Sequence, residues 1–221
     1  MSTQAIRWAT DCGVDIISMS WTIETPVAGN EDMEGLKNAV AKAAGRGILM
    51  FCSTSDQGNS TKDDCYPGDF DGCIKIGSAT DTGEALAWVN AKKVDFLLPG
   101  KNVPFANNEG KIISYESGSS VATAAASGLA GLLIFCGWLL NKDDRYLQDQ
   151  RNMRGAFKSM AAGSVPDNQF PRAQDFFEQR FTQRLAKLQK SPSAINISTL
   201  IWNDNCKAAL EWVMGLIKVN Q

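Results

Sequence analysis

Short apolar runs alternate with helical patterns over the first 140 residues of the chain. Between the first two runs, residues 31–45 place apolar side chains at helical spacing, and Gly45 and Gly47 predict the end of that helix. The apolar runs themselves are typical of buried parallel strands and occupy residues 14–20, 48–54, 73–79 and 94–98. Strands and helices in this order predict an α/β domain with a mainly parallel sheet.

Three further segments extend this pattern. Residues 3–12 predict a helix that ends at Gly13, and residues 111–115 predict a fifth strand. Residues 121–140 contain no charged side chain, and a run of this length could cross a membrane. We expect it instead to form a central helix that is buried on all sides, because its first half is small and partly polar.

The chain changes character after residue 140, where charged residues become frequent. Apolar side chains at helical spacing predict helices within residues 141–161, 172–190 and 204–219. We therefore expect residues 141–221 to form a helical C-terminal extension of the preceding domain.

Charge gives no indication of a nucleic-acid or membrane partner. The chain has 22 basic and 24 acidic residues and a formal net charge of −2. It has no histidine, and its six cysteines include no Cys-x-x-Cys pair, so we expect neither a metal site nor a cofactor. The cysteines are interpreted as structural, with Cys65 and Cys73 as the one plausible disulfide. The first residues lack the apolar stretch of a secretion signal, which favours an intracellular location.

One segment carries a candidate nucleophile. Residues 116–123 (ESGSSVAT) lead directly into the apolar helix. Gly118 would let the backbone approach a substrate closely, and a serine at a helix N-terminus has the positive end of the helix dipole beside a developing oxyanion. The alternative is that Ser119 or Ser120 only caps the helix. On these residues alone, the cap is the simpler interpretation.

The segment resembles the nucleophile motif Gly-Thr-Ser-Met-Ala-Thr-Pro of the subtilases, a family of serine proteases. Four further segments match that family in the same order: residues 5–20, residues 47–58 (GILMFCSTSDQG), residues 66–79, which begin with a Tyr-Pro turn that is often cis, and residues 95–100. The resemblance implies a serine endopeptidase that acts on peptide or protein substrates. It also implies a three-layer α/β fold of subtilisin type whose N-terminal part is missing, with residues 1–140 as a partial catalytic domain.

The resemblance also implies roles for particular residues. Ser120 would be the nucleophile, and Asp56 stands at the oxyanion-hole position, where the family has an asparagine. The residues expected to bind substrate are Ser20, Trp21, Thr22, Ser53, Thr54, Ser55 and Gly118.

The chain departs from the family in ways that bear on activity. An asparagine donates a hydrogen bond to an oxyanion, whereas an ionised Asp56 repels it. Trp21, Thr22 and Ile23 follow Ser20 where the family's edge strand reads Leu-Gly-Gly, so side chains stand where substrate backbone should approach. The catalytic aspartate and histidine of the family belong to its N-terminal half and have no counterpart here.

We expect the chain alone to be inactive, because a serine without a base is a poor nucleophile. Two hypotheses remain open. The chain is the C-terminal part of a longer serine endopeptidase, with the aspartate and the histidine supplied by the missing sequence. Alternatively, it is a non-catalytic pseudoprotease that binds a peptide or a protein.

Overall fold

A computed structural model describes residues 2–23, 31–58, 64–140, 145–164 and 168–176. The helices within these residues are α1 (Ser2–Cys12), α2 (Glu31–Gly45), α3 (Ser119–Leu140) and α4 (Gln150–Ala161). The strands are β1 (Ile16–Met19), β2 (Leu49–Ser53), β3 (Cys73–Ala79), β4 (Phe96–Pro99), β5 (Val103–Ala106) and β6 (Ile112–Glu116).

The first four strands form one parallel sheet in the order β1-β2-β3-β4. Every residue of β2 and β3 is buried, which explains why residues 49–52 form a continuous apolar run rather than an alternating pattern. Strand β3 also buries Ser78 and Lys75, and the Lys75 ammonium group pairs with Asp69. The four predicted strands and their parallel arrangement are confirmed. The predicted fifth strand exists as β6, but it pairs antiparallel with β5 in a separate two-stranded ribbon.

Helices cover both faces of the sheet. Because successive side chains of a strand point to opposite faces, Met50 and Cys52 of β2 pack with α1 and α2, and Leu49 and Phe51 pack with α3 and α4. The ring of Phe157 in α4 lies 5.9 Å from that of Phe51, centroid to centroid. The structure is therefore the three-layer α/β arrangement that the sequence predicted.

The residues that the structure describes cover one side of α3. Ala122, Ala126, Ala130 and Leu133 are fully buried against the sheet, where their small side chains allow close approach. On the opposite side the apolar residues are about half exposed: Leu132 52%, Phe135 52% and Trp138 50%. The prediction that this helix is buried on all sides is wrong, because its uniform apolarity does not reveal which side the described part of the chain covers. By length and composition alone, α3 could also cross a membrane.

The three cysteines nearest the sheet are buried free thiols. Cys65 and Cys73 are not bonded to each other, so the predicted disulfide is not formed. The pKa of Cys52 lies well above the usual thiol value, first because of its hydrogen bond with Cys73 and then because of burial. A thiol that stays protonated in this way packs as a small apolar side chain.

The structure describes only part of the C-terminal region in which helices are predicted. The helix expected within residues 141–161 is confirmed as α4, while most of the helix predicted over 172–190 and all of that over 204–219 lie outside the described residues. Met153, Phe157 and Met160 of α4 belong to the same buried cluster as α3 and the sheet. The division at residue 140 stays a prediction.

Phe157→Ala should lower the free energy of unfolding by about 3–5 kcal/mol, because it removes a fully buried ring from between Phe51 and Phe96. Urea denaturation followed by circular dichroism measures the difference. Phe105→Ala is the matched control, since that ring is 57% exposed, and it should cost less than about 1 kcal/mol. Equal losses for the two variants would contradict the core described above.

The exposed side of α3 should make the chain self-associate, because a contiguous apolar patch on a soluble protein promotes association. We expect light scattering coupled to size exclusion to give a mass above that of the monomer. Replacing Leu132 and Phe135 together with lysine should restore a monomer, whereas Phe105→Lys, on the ribbon, should not. A monodisperse wild-type monomer would show that this side of α3 does not drive self-association.

Candidate active site

The candidate residues meet where the parallel strands end and helix α3 begins. The carboxyl ends of β2, β3 and β4 lie at the same edge of the sheet, an edge at which ligands commonly bind in α/β folds. Asp56 follows β2, Ser78 lies near the end of β3, and Gly100 follows β4. Each of these three residues is within contact of the first residues of α3 or of the glycine before them.

Two glycines allow this close approach. The Gly118 N–H donates to the Gly100 carbonyl at 2.8 Å. A Cβ on Gly100 would lie 2.6 Å from Cβ of Ser78 and 2.8 Å from the Gly118 oxygen, so only glycine fits there. Gly118 has φ 137°, in the region that disfavours side chains, and its carbonyl accepts from Ala122 N–H as the helix starts.

Asp56 caps the N-terminus of α3 from outside the helix. Gly118 precedes the helix and has no side chain that could accept a hydrogen bond from the first turn. The Ser119 N–H instead donates to Asp56 Oδ2 at 2.8 Å, and the Ser119 hydroxyl donates to Asp56 Oδ1. A carboxylate at this end of a helix is favoured by the helix dipole.

Ser120 is exposed and faces a different partner. Its hydroxyl donates to the Ser20 carbonyl at 3.3 Å, and the Ser20 hydroxyl donates to the Ser120 carbonyl at 3.3 Å. These two bonds tie the segment after β1 to the first turn of α3. The hydroxyl that binds Asp56 is that of Ser119, not that of Ser120.

The remaining predicted residues lie on two segments around this point. Trp21 and Thr22 are partly exposed, and Ile23 forms an antiparallel bridge with Tyr66 through N–H···O bonds of 2.8 and 3.1 Å. The Tyr66–Pro67 bond is cis, as the resemblance implies. Ser53 and Thr54 are buried at the end of β2, and Ser55 is partly exposed.

The described residues of the site offer serine hydroxyls and one carboxylate. The sequence contains no histidine, and within the described ranges no group of three or more cysteine or acidic side chains could hold a metal ion. In the first turn of α3, the backbone N–H and the hydroxyl of Ser119 both donate to Asp56. Within the described residues, the Ser120 hydroxyl therefore donates to a backbone carbonyl rather than to a side chain that could take its proton.

Sequence reasoning did not anticipate the roles of three residues of the site. Ser119 was weighed only as a helix cap, yet its hydroxyl links Asp56 to β3, because it accepts from the Ser78 N–H at 3.0 Å. Ser78 gave no signal, since it lies inside a buried strand. Gly100 was part of a matched segment, and its place after a strand and a proline could have indicated a close approach.

The comparisons with known proteins agree with this arrangement. The family model that matches residues 1–142 is that of the Subtilase family. The chain is 31% identical over 132 residues to the major intracellular serine protease of Bacillus subtilis, a match covering 58% of this chain and 39% of that protein. It is 32% identical over 134 residues to the intracellular serine protease of Paenibacillus polymyxa, covering 59% of this chain and 39% of that protein.

Solved structures of the same fold include the prenylagaramide maturation protease PagA and the PatG macrocyclase in complex with peptide. The first has a TM-score of 0.60 at 24% identity and covers 75% of this chain and 58% of that one. The second has a TM-score of 0.60 at 22% identity and covers 75% and 49%, respectively. The chain thus spans well under half the length of the two curated relatives, and about half that of the solved proteins. Because the family match takes in well over half of its residues, the chain belongs to the subtilase family.

Proposed function

We propose that this chain supplies the nucleophile part of a serine endopeptidase site, with Ser120 as the residue that attacks a peptide carbonyl. The observation that carries the proposal is the position of Ser120. Its exposed hydroxyl stands on the first turn of α3, at the carboxyl edge of a parallel sheet, and next to the partly exposed segment 20–23. Family membership supports a peptide or protein as the substrate.

The proposed reaction needs a group that this chain lacks. When the Ser120 oxygen attacks, its proton must pass to a base, and the family uses a histidine that an aspartate orients. We propose that both residues belong to a part of the protein outside these 221 residues. In the present structure the Ser120 hydroxyl is bonded to the Ser20 carbonyl, and it has to leave that bond before it can meet a base.

The remaining assignments extend the same proposal. On this proposal the substrate is bound by Ser20, Trp21, Thr22, Ser53, Thr54, Ser55 and Gly118. Trp21, Thr22 and Ser55 are partly exposed, whereas Ser53 and Thr54 are buried. Residues 1–140 form a partial catalytic domain, residues 141–221 extend it, and no cofactor takes part. An intracellular location is supported by the two bacterial relatives, which are named as intracellular proteases.

A fluorophosphonate probe tests whether Ser120 is the nucleophile. The chain alone should not be labelled, because nothing takes the serine proton. Added imidazole can act as a free base, so it should raise the rate of labelling by about 10–100-fold, below the roughly 10²–10⁴-fold that a positioned base contributes. Intact-mass spectrometry would report the labelled fraction over time.

The neighbouring serines provide the controls. Ser120→Ala should abolish the imidazole-dependent labelling, whereas Ser117→Ala, three residues away and hydrogen-bonded to Asn102 instead, should leave it unchanged. Labelling that persists in Ser120→Ala would reject Ser120 as the nucleophile. Rapid labelling without imidazole would show that a base is present after all.

A second candidate function is a non-catalytic module that binds a peptide. The observation that favours it is the Asp56 carboxylate, which lies against the first turn of α3 where a catalytic site needs a donor. On this alternative, peptides bind equally well to the wild type and to Ser120→Ala, and imidazole gives no labelling of either. Serine labelling together with peptide binding would favour the endopeptidase.

A further inference from the structure

We propose that Asp56 is a specificity-determining residue that makes this site accept uncharged peptide carbonyl groups and exclude carboxylates. A peptide that ends in an amide, or that continues past the site, would bind. The same peptide ending in a free carboxylate, the form that proteolysis leaves, would be rejected. The inference rests on the proposed function in one respect, because it takes a peptide as the ligand.

The first step is the place that the carboxylate occupies. Asp56 Oδ2 accepts from the Ser119 N–H, the first donor of α3, and lies 3.4 Å from the position of a Cβ on Gly118. A helix N-terminus otherwise offers such donors to an incoming anion. Here one of those donors already serves an anion of the chain itself, directly beside Ser120.

The second step is that the carboxylate is fixed rather than loosely placed. The Ser119 oxygen accepts from the Ser78 N–H at 3.0 Å, and the Ser119 hydroxyl donates to Asp56 Oδ1. Both carboxylate oxygens are therefore held by donors that the sheet and the helix keep in position. An anionic ligand would have to break both bonds to take that place.

The third step is that no cation offsets the charge. Within the part of the chain that the structure describes, Asp56 forms no ion pair with a lysine or an arginine. A ligand carboxylate beside Ser120 would thus meet a negative charge at short range, and the repulsion between like charges grows as water is excluded. An uncharged carbonyl at the same place meets no such repulsion.

Two matched peptides test this directly: N-acetyl-tetraalanine with a C-terminal amide, and the same peptide as a free acid. Isothermal titration of the wild-type chain should show the amide binding at least about tenfold more tightly, within the range that Coulomb's law gives between water and a protein surface. In Asp56→Asn the ratio should fall to about one. The asparagine keeps both contacts, because its oxygen accepts from the Ser119 N–H and its amide group donates to the Ser119 hydroxyl.

Asp71→Asn is the matched control. It removes the same charge from an exposed residue just before β3, at the end of that strand away from Ser78, and the ratio should stay at its wild-type value. Equal affinity for the two peptides in the wild type would overturn the proposal. So would an unchanged ratio in Asp56→Asn, or no measurable binding of either peptide.

Salt provides a measurement that needs no variant. Between about 0.01 M and about 1 M salt the wild-type ratio should fall, because ions screen the repulsion, and a constant ratio would overturn the proposal even if Asp56→Asn failed to fold. The two hypotheses fail separately. If the wild type prefers the amide but shows no imidazole-dependent labelling, only the role of Ser120 as nucleophile is rejected. If the wild type is labelled but shows no preference for the amide, only the role of Asp56 is rejected.

Discussion

The junction between the first turn of α3 and the carboxyl edge of the sheet determines where each candidate residue lies. Gly100 lets the end of β4 reach Gly118, and Ser119 connects Asp56 to β3. Because helix and sheet are joined at this point by backbone and side-chain bonds together, Ser120 has little freedom in direction. It can only project from the side of α3 that the sheet does not fill, toward the segment after β1.

The same contact that stabilises the fold opposes catalysis. A carboxylate at a helix N-terminus typically contributes about 0.3–1 kcal/mol to stability. An asparagine at that place would instead donate to an oxyanion, and losing one such donor costs about 10²–10³-fold in turnover. On the proposed function, the Asp56 carboxylate therefore adds a little to the stability of the fold while it lowers the rate of catalysis by a much larger factor. That exchange is reasonable only where the site binds more often than it cleaves, or where another donor faces the oxyanion.

The sequence predicted the strands well and the surroundings of the helix poorly, for physical reasons. Buried parallel strands are mostly apolar, so β2 stood out from residue order alone, and β3 did so through its apolar residues although it also buries Lys75 and Ser78. For α3 the apolar pattern is nearly uniform, and exposure depends on which other elements cover it. The contact of Asp56 with Ser119 joins positions 63 residues apart, so periodicity carries no trace of it; only the family resemblance placed the two segments together.

Ser120 and the side of α3 that the described residues leave uncovered belong to the same surface. Ser120, Ala124, Gly128, Leu132 and Phe135 are all exposed and recur at helical spacing, so Ser120 stands at the head of the open stripe. The sheet and α4 fill the other side of the helix, which leaves no room there for a further group. On the proposed function, this stripe is the side of α3 that the described residues leave open to a polypeptide that brings a base to Ser120. The small side chains next to Ser120 allow it to come close, whereas Leu132 and Phe135 supply the apolar area that would hold it. On the proposed function, covering this side of the helix and bringing a base to Ser120 would be the same event.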